Sequence, residues 1–204
     1  MLELFDETFW NERYGSQQRL WSGNPNVRLV EEVADLPPGT ALDIGCGEGA
    51  DAIWLASRGW QVTGTDISTV ALDRAAAHAG DLTITWLQAD LLSWTPPPAT
   101  YDLVSAHFMQ LPPALREPLF GKWAAAVSPG GSLLIVGHHP SDMHATAHRP
   151  DMPELFYTAD DVAALLNQDD WEIVTNTAPA RTITDQDGTE VTFHDAVLRA
   201  RRKP

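Results

Sequence analysis

The sequence predicts an α/β fold built on a mainly parallel sheet with both faces covered. Three observations predict it. From Ala41 onward, short apolar runs alternate with helix-like segments. The first of these runs, Ala41 to Ile44, breaks into glycines at Gly45, Gly47 and Gly49, and a helical pattern follows at once. Acidic residues also mark three successive apolar runs: Asp43 in the first, Asp66 after the second and Asp90 after the third. In an open parallel sheet those positions lie at the carboxyl edge, where ligands bind. A chain of 204 residues, 44% of them hydrophobic, suits one such domain and leaves little room for a second.

Taken in order, residues 1–38 are expected to form an N-terminal helical lid and residues 39–204 a nucleotide-binding core. Trp10 and Tyr14 are four apart and share a helix face. Gly23-Asn24-Pro25 breaks the chain, and Asn26 can cap a helix whose apolar side takes Val27, Val30, Val33 and Ala34. The aromatics have two possible arrangements. They pack on the sheet, or Trp10, Tyr14 and Trp21 close over a ligand. Pro37-Pro38-Gly39 ends the segment, and the first strand runs into the glycine turn. A helix from Asp51 to Arg58 stops at Gly59. The second strand, Trp60 to Thr65, ends at Asp66, and Ser68 opens a helix through Ala79. A third strand spans Leu82 to Ala89. Past Pro96-Pro97-Pro98 come a fourth strand, Tyr101 to Ala106, and a helix from Arg116 to Val127. Gly130-Gly131 turns into the fifth strand, Ser132 to Gly137. After an irregular stretch rich in His, Pro, Asp and Met, Thr158 caps a helix over Ala159 to Leu166. Two strands close the chain, Trp171 to Thr177 and Thr189 to Arg201, joined through Asp185-Gln186-Asp187-Gly188.

The glycine turn is a nucleotide-type turn. Alternate glycines let the backbone bend sharply and approach a ligand, and the following helix points free N–H groups at it. By spacing alone, Gly45-x-Gly47-x-x-Ala50 also satisfies the dinucleotide fingerprint. The acidic residues argue against that. A pyrophosphate here would meet Glu48 inside the turn and Asp43 just before it, with no adjacent Lys or Arg. A ligand with a sulfonium and an ammonium group and no phosphate suits those charges, and S-adenosylmethionine is such a ligand. Asp66, about twenty residues on, is placed to accept hydrogen bonds from a ribose diol. Asp90 can accept from the adenine amine, with Leu91 offering apolar surface to the ring.

The totals exclude several partners. Thirteen basic against 28 acidic residues give a net charge of −15, so nucleic acid and anionic membranes are poor partners. The single cysteine, Cys46, rules out an internal disulfide and fits a reducing compartment. In the turn it reads as a small residue filling tight space rather than a reactive thiol. No apolar run approaches the ~20 residues that span a bilayer, and the acidic N-terminus is unlike a signal peptide. A cytoplasmic location is expected.

Four stretches together resemble one family: Leu42-Asp43-Ile44-Gly45-Cys46-Gly47-Glu48-Gly49, Gly64-Thr65-Asp66-Ile67-Ser68, Gln88-Ala89-Asp90-Leu91 and Tyr101-Asp102-Leu103-Val104. They are similar to the class I S-adenosylmethionine-dependent methyltransferases, over roughly residues 40 to 137. The resemblance implies a Rossmann-like doubly wound sheet of seven strands in the order 3-2-1-4-5-7-6, the last antiparallel. It implies that Gly45, Cys46, Gly47 and Gly49 approach the methionine part with Asp43 beside them, that Asp66 and Ile67 meet the ribose, and that Asp90 and Leu91 meet the adenine. Trp10-Asn11-Glu12-Arg13-Tyr14 with Trp21 is similar to the N-terminus of the tellurite-resistance and thiopurine methyltransferase-like group. That likeness implies a small acceptor and cofactor contact at Trp21. After the fourth strand stands Ala106-His107-Phe108-Met109-Gln110, not the Asn/Asp-Pro-Pro-Tyr/Phe motif of amino-group methylating DNA enzymes.

Methyl transfer needs donor and acceptor aligned and, for an O–H or N–H acceptor, a base. His107 after the fourth strand, and His138 and His139 after the fifth, are the candidate catalytic groups, with His107 also placed to touch cofactor. Each is equally open to a hydrogen-bonded pocket-wall role. Trp10, Tyr14, Met143 and Arg149 are expected to shape the acceptor pocket. His138, His139, Asp142, His144 and His148 crowd together, but their spacing matches no zinc pattern, so no metal is expected there. An NAD-type oxidoreductase and a non-catalytic cofactor-binding protein are the alternative readings.

Overall fold

The computed structural model describes residues 6–143, 152–184, 188 and 190–204. Arg149, His144 and His148 fall outside these residues, as does most of the Asp185 to Gly188 connection. Parallel pairing runs through β1 (Thr40–Ile44), β2 (Gln61–Asp66), β3 (Ile84–Gln88), β4 (Tyr101–His107) and β5 (Val127–His138). The antiparallel end is built from β6 (Trp171–Thr177), β7 (Ala180–Thr184) and β8 (Glu190–Arg202), giving the order β3-β2-β1-β4-β5-β8-β6, with β7 paired to β8. The expected α/β fold and strand order are therefore present, with one strand more than expected. β8 takes the place expected of the seventh strand. β7 arises because the chain re-enters the sheet after Pro179, whose carbonyl accepts from the Asp195 N–H at 3.1 Å. β5 also starts earlier than expected. Gly130 adopts φ +81° and Gly131 lies against the Asp102 carbonyl, so the strand passes through both glycines instead of beginning after them.

Helices cover both faces. On one side α2 (Val27–Val33) and α3 (Ala50–Ser57) bury Leu29, Val33 and Leu55 against Val62, Leu103, Leu134 and Val197. On the other, α5 (Pro113–Ala126) and α6 (Ala159–Ala163) bury Phe120, Trp123 and Val162 against Leu42, Val104, Leu133 and Leu198. Strands buried on both faces read as continuous apolar runs, which is why Leu133 to Val136 carries no alternation. The expected caps are in place: the Asn26 side chain accepts from Arg28 N–H, Ser68 from Ala71 N–H, and Thr158 forms a capping box with Asp161. The remaining helices are α1 (Glu7–Gly15) and α4 (Thr69–Ala79). They meet where the Asn11 side-chain carbonyl accepts from Ser68 Oγ at 2.7 Å.

Candidate active site

The parallel register brings the site together at the carboxyl edge, with Asp43 of β1 level with Gly64 of β2 and Ser105 of β4. The turn after β1 needs its glycines. Gly47 has φ +53° and its missing Cβ would stand 2.7 Å from Tyr14 Oη; Gly49, at φ +84°, would meet Ala75 and Trp86 at 2.8 Å. One glycine therefore admits Tyr14 of the N-terminal segment and the other admits α4 and β3.

Each expected carboxylate has a distinct setting. Asp66 is buried and accepts from the N–H groups of Gly47 and Ser68, both at 2.9 Å. Burial raises its pKa above the ordinary value, against the lowering effect of those N–H groups. The residue expected to meet the ribose thus also ties the first turn to the second. Asp90 is exposed; Oδ1 accepts from Leu92 N–H at 2.9 Å and Oδ2 from Ser93 Oγ at 3.1 Å. Leu91 turns into the core, while Leu92 stays 37% exposed. Ile67 is half-buried, and its carbonyl accepts from Gln88 Nε2. Burial pushes the Cys46 thiol well above its usual value, as a turn-filling role requires.

Glu48 corrects one step of the sequence argument. Arg74 Nη1 lies 3.0 Å from its Oε1, so a basic partner is present after all. Its Oε2 accepts from the N–H groups of Leu20 and Trp21, both at 3.1 Å. The Glu48 charge is taken up in anchoring the N-terminal segment. Trp21 Nε1 donates to Tyr14 Oη at 3.1 Å, and Trp10 lies 5.9 Å from the Tyr14 ring. Tyr14 is buried and Trp21 is 50% exposed. Burial, then Asp66, raise the Tyr14 hydroxyl well above its ordinary range.

Asp43 is different. It is 2% exposed, Ser105 Oγ reaches Oδ1 at 3.4 Å, and Oδ2 has no hydrogen-bond partner among the described residues. Burial first, and then the charge of Asp51, push it up to about 8. Beside it, His107 Nδ1 contacts Asp51 Oδ2 at 2.6 Å, and Asp51 Oδ1 accepts from Asn26 N–H at 2.6 Å. Burial lowers His107, but Asp51 and then Asp43 outweigh it and leave a net upward shift. One ligand atom from each of Asp43, Asp51 and His107 lies within 4.8 Å of the others.

The other histidines stand apart from this group. His138 packs between Phe108 (4.6 Å between centroids) and Phe156 (6.3 Å). Phe108 has φ +55°, a costly conformation for a bulky side chain, at the end of β4. His139 caps a 3₁₀ turn, its Nδ1 accepting from Ser141 N–H at 3.2 Å, and Met143 ends that turn half-buried. Asp142 and His194 pair nearby at 3.0 Å. Sequence reading missed Asp51, Arg74 and His194. Asp51 was open to discovery, since an acidic residue in the first turn after the glycines is a local signal. Nothing around His194 in β8 marks it out.

Residues 41–131 match a family model described as a methyltransferase domain. Over 160 aligned residues the chain is 30% identical to 2-heptyl-1-hydroxyquinolin-4(1H)-one methyltransferase of Mycobacteroides abscessus, covering 70% of each. The chain belongs to the class I S-adenosylmethionine-dependent methyltransferases. A structure solved for the conversion of a disulfide bond into a thioacetal group during echinomycin biosynthesis is also similar to this methyltransferase. Its TM-score is 0.75 at 25% identity, over 100% of this chain and 92% of that one. TehB from Haemophilus influenzae gives 0.69 at 20% identity, over 97% of this chain and 67% of that one, a likeness of fold. Two further curated methyltransferases align over 114 and 117 residues, and the chain spans 43% and 59% of their length. The family's cofactor, S-adenosylmethionine, fits the donor set of this methyltransferase. The buried Asp43 oxygen suits a cation, and Arg74 of α4, which reaches the turn, is already paired.

Proposed function

We propose that this methyltransferase transfers a methyl group from S-adenosylmethionine to a small-molecule acceptor, releasing S-adenosylhomocysteine, in the cytoplasm. The observation that carries the proposal is the unpartnered Oδ2 of Asp43 beside the glycine turn. A buried acceptor left unmatched costs about 1–3 kcal/mol, and the α-ammonium of the cofactor would satisfy it. A pyrophosphate would not, which disfavours an NAD enzyme. When bound, S-adenosylmethionine supplies an electrophilic methyl carbon on a sulfonium. The C–S bond breaks with its electron pair going to sulfur as the acceptor atom forms the new bond. For an O–H or N–H acceptor, a base on the protein takes the released proton.

The chain's own residues divide between the two partners. Gly45, Cys46, Gly47 and Gly49 admit the methionine part, Asp66 and Ile67 the ribose, and Asp90 the adenine, Leu91 being taken up by the core. Trp10, Tyr14 and Trp21 close the site, with Glu48 holding the Trp21 backbone. His138 and His139 face the acceptor, His107 faces the cofactor, and Met143 helps shape the pocket. The rings of Phe108, His138 and Phe156 support a flat apolar acceptor, as does the hydroxyquinolone in the relative's name. The net charge of −15 supports a small molecule over nucleic acid. No helix among the described residues is long and apolar enough to cross a membrane.

Isothermal titration tests the reading. S-adenosylhomocysteine should bind and NAD should not, and turnover should appear in a panel of phenol, hydroxyquinolone, thiol and amine acceptors. Binding that survives Asp66→Ala with Asp90→Ala unchanged would overturn the site assignment.

A further inference from the structure

Two buried polar atoms at the edge of the glycine turn lack partners among the described residues: Asp43 Oδ2 and His107 Nε2. One is an acceptor. The other, with the far ring nitrogen donating to Asp51, accepts when the ring is neutral and donates when it is an imidazolium. Asp51 Oδ2, 2.6 Å from His107 Nδ1, makes that nitrogen the donor and fixes the ring orientation. Asp51 is itself held, because its Oδ1 accepts from Asn26 N–H. The imidazole therefore cannot swing to find another partner for Nε2. The contact is sheltered, with side-chain exposures of 6% for His107 and 16% for Asp51. Orphaned buried polar atoms in a folded protein call for water or a ligand. An amino-acid end group carries one cation and one anion, the complement of an unmatched acceptor beside an unmatched imidazole nitrogen.

Building on the proposed cofactor, we propose that His107 Nε2 donates a hydrogen bond to the α-carboxylate of the cofactor's methionine part, with Asp51 as the positioning residue that orients the ring. Asp43 then takes the ammonium, and the pair reads the whole zwitterion. The Asp51 carboxylate in contact with Nδ1 favours the imidazolium that this donation needs, despite the ring's burial. Because the same Asp51 also holds Asn26, the carboxylate subsite and the N-cap of α2 share one anchor. A cation bound among Asp43, Asp51 and His107 is the competing occupant. It would have to break the 2.6 Å contact.

The test compares S-adenosylhomocysteine with its decarboxylated analogue by titration calorimetry. The wild-type protein should favour the carboxylated ligand by about tenfold or more, as a charge-assisted hydrogen bond predicts. In His107→Gln that preference should collapse towards unity through loss of S-adenosylhomocysteine affinity, with the analogue unchanged. Asp51→Asn should lower the preference part-way. Histidine-labelled wild-type protein gives a second readout that needs no variant. The His107 Nε2 resonance should shift with S-adenosylhomocysteine and not with the analogue. Equal weakening of both ligands in His107→Gln, an unmoved Nε2 signal, or a rise in thermal stability on adding zinc or magnesium alone would overturn the proposal. Failure of wild-type protein to bind S-adenosylhomocysteine would instead strike the proposed function.

Discussion

At the glycine-turn end of the sheet, the strand-end carboxylates Asp66 and Asp90 are held by backbone N–H groups no more than 19 residues away. Asp66 takes those of Gly47 and Ser68, and Asp90 takes that of Leu92. At the β5–β8 end they are held by side chains from far away. Asp195, 1% exposed, pairs with Arg28, 167 residues distant, and with Arg181. Asp142 pairs with His194, 52 residues distant. The first arrangement forms wherever strands end in these turns. The second exists only once β7 and β8 have closed on α2. The difference teaches that binding and tertiary closure rest on separate sets of charges, so substitutions should separate them.

The largest effect is expected at Asp195. Asp195→Asn removes the buried charge that Arg28 and Arg181 share; Arg28 keeps its pairing with Glu31, so the loss is that of charge-assisted hydrogen bonds, about 1.5–3 kcal/mol. Urea unfolding should show that loss, while the folded fraction keeps its affinity for S-adenosylhomocysteine within about twofold. A large affinity loss would mean that the two ends are coupled.

Asp43→Asn should act in the opposite sense. The folded protein holds this carboxyl at about 8, well above its unfolded value. Its contribution to stability is full below the unfolded value near 4 and is lost as pH rises towards 8. An amide does not titrate, so the variant should gain on wild type in melting temperature between pH 5 and 8. Its affinity for S-adenosylhomocysteine should fall about tenfold or more. A variant that is both less stable and equally tight would break the contrast.

Glu48→Gln is expected to be milder. It removes the charge facing Arg74 but keeps an acceptor for the Leu20 and Trp21 N–H groups. Affinity should drop several-fold, about 1 kcal/mol, with faster proteolysis between Ser16 and Asn24. Unchanged proteolysis would show that Glu48 does not hold the segment around Leu20 and Trp21 in place.

The same division explains what could be read from the chain. The turn, the caps at Asn26, Ser68 and Thr158, and the strand-end carboxylates are short-range patterns, and each was legible. Glu48 was legible as a charge and not as a tether, because Arg74 and residues 20–21 reach it only after α1 and α4 pack. β7 was hidden by Pro179 and by its polar composition, Ala180-Arg181-Thr182-Ile183-Thr184, which has no clean alternation. The Arg28 and Asp195 pairing leaves no trace in either neighbourhood. Phe108, in its left-handed conformation, carries no glycine to announce the bend.

The smallest expected effect lies at Asp142 and has the reverse pH sign to Asp43. Burial raises this carboxyl, but the His194 backbone N–H, the His194 ring and Ser141 more than offset it and leave it below its ordinary value. A depressed folded value gives stability that is present above about 4 and is lost as pH falls through the folded value. Asp142→Asn should therefore melt slightly lower than wild type at pH 6, and the two curves should converge as pH falls below 4. Asp43→Asn should differ from wild type most at the alkaline end. Melting curves for both variants across pH 3 to 8 place the two ends of the sheet on one axis. Parallel curves for Asp142→Asn and wild type down to pH 3 would show that the His194 contact adds nothing to closure.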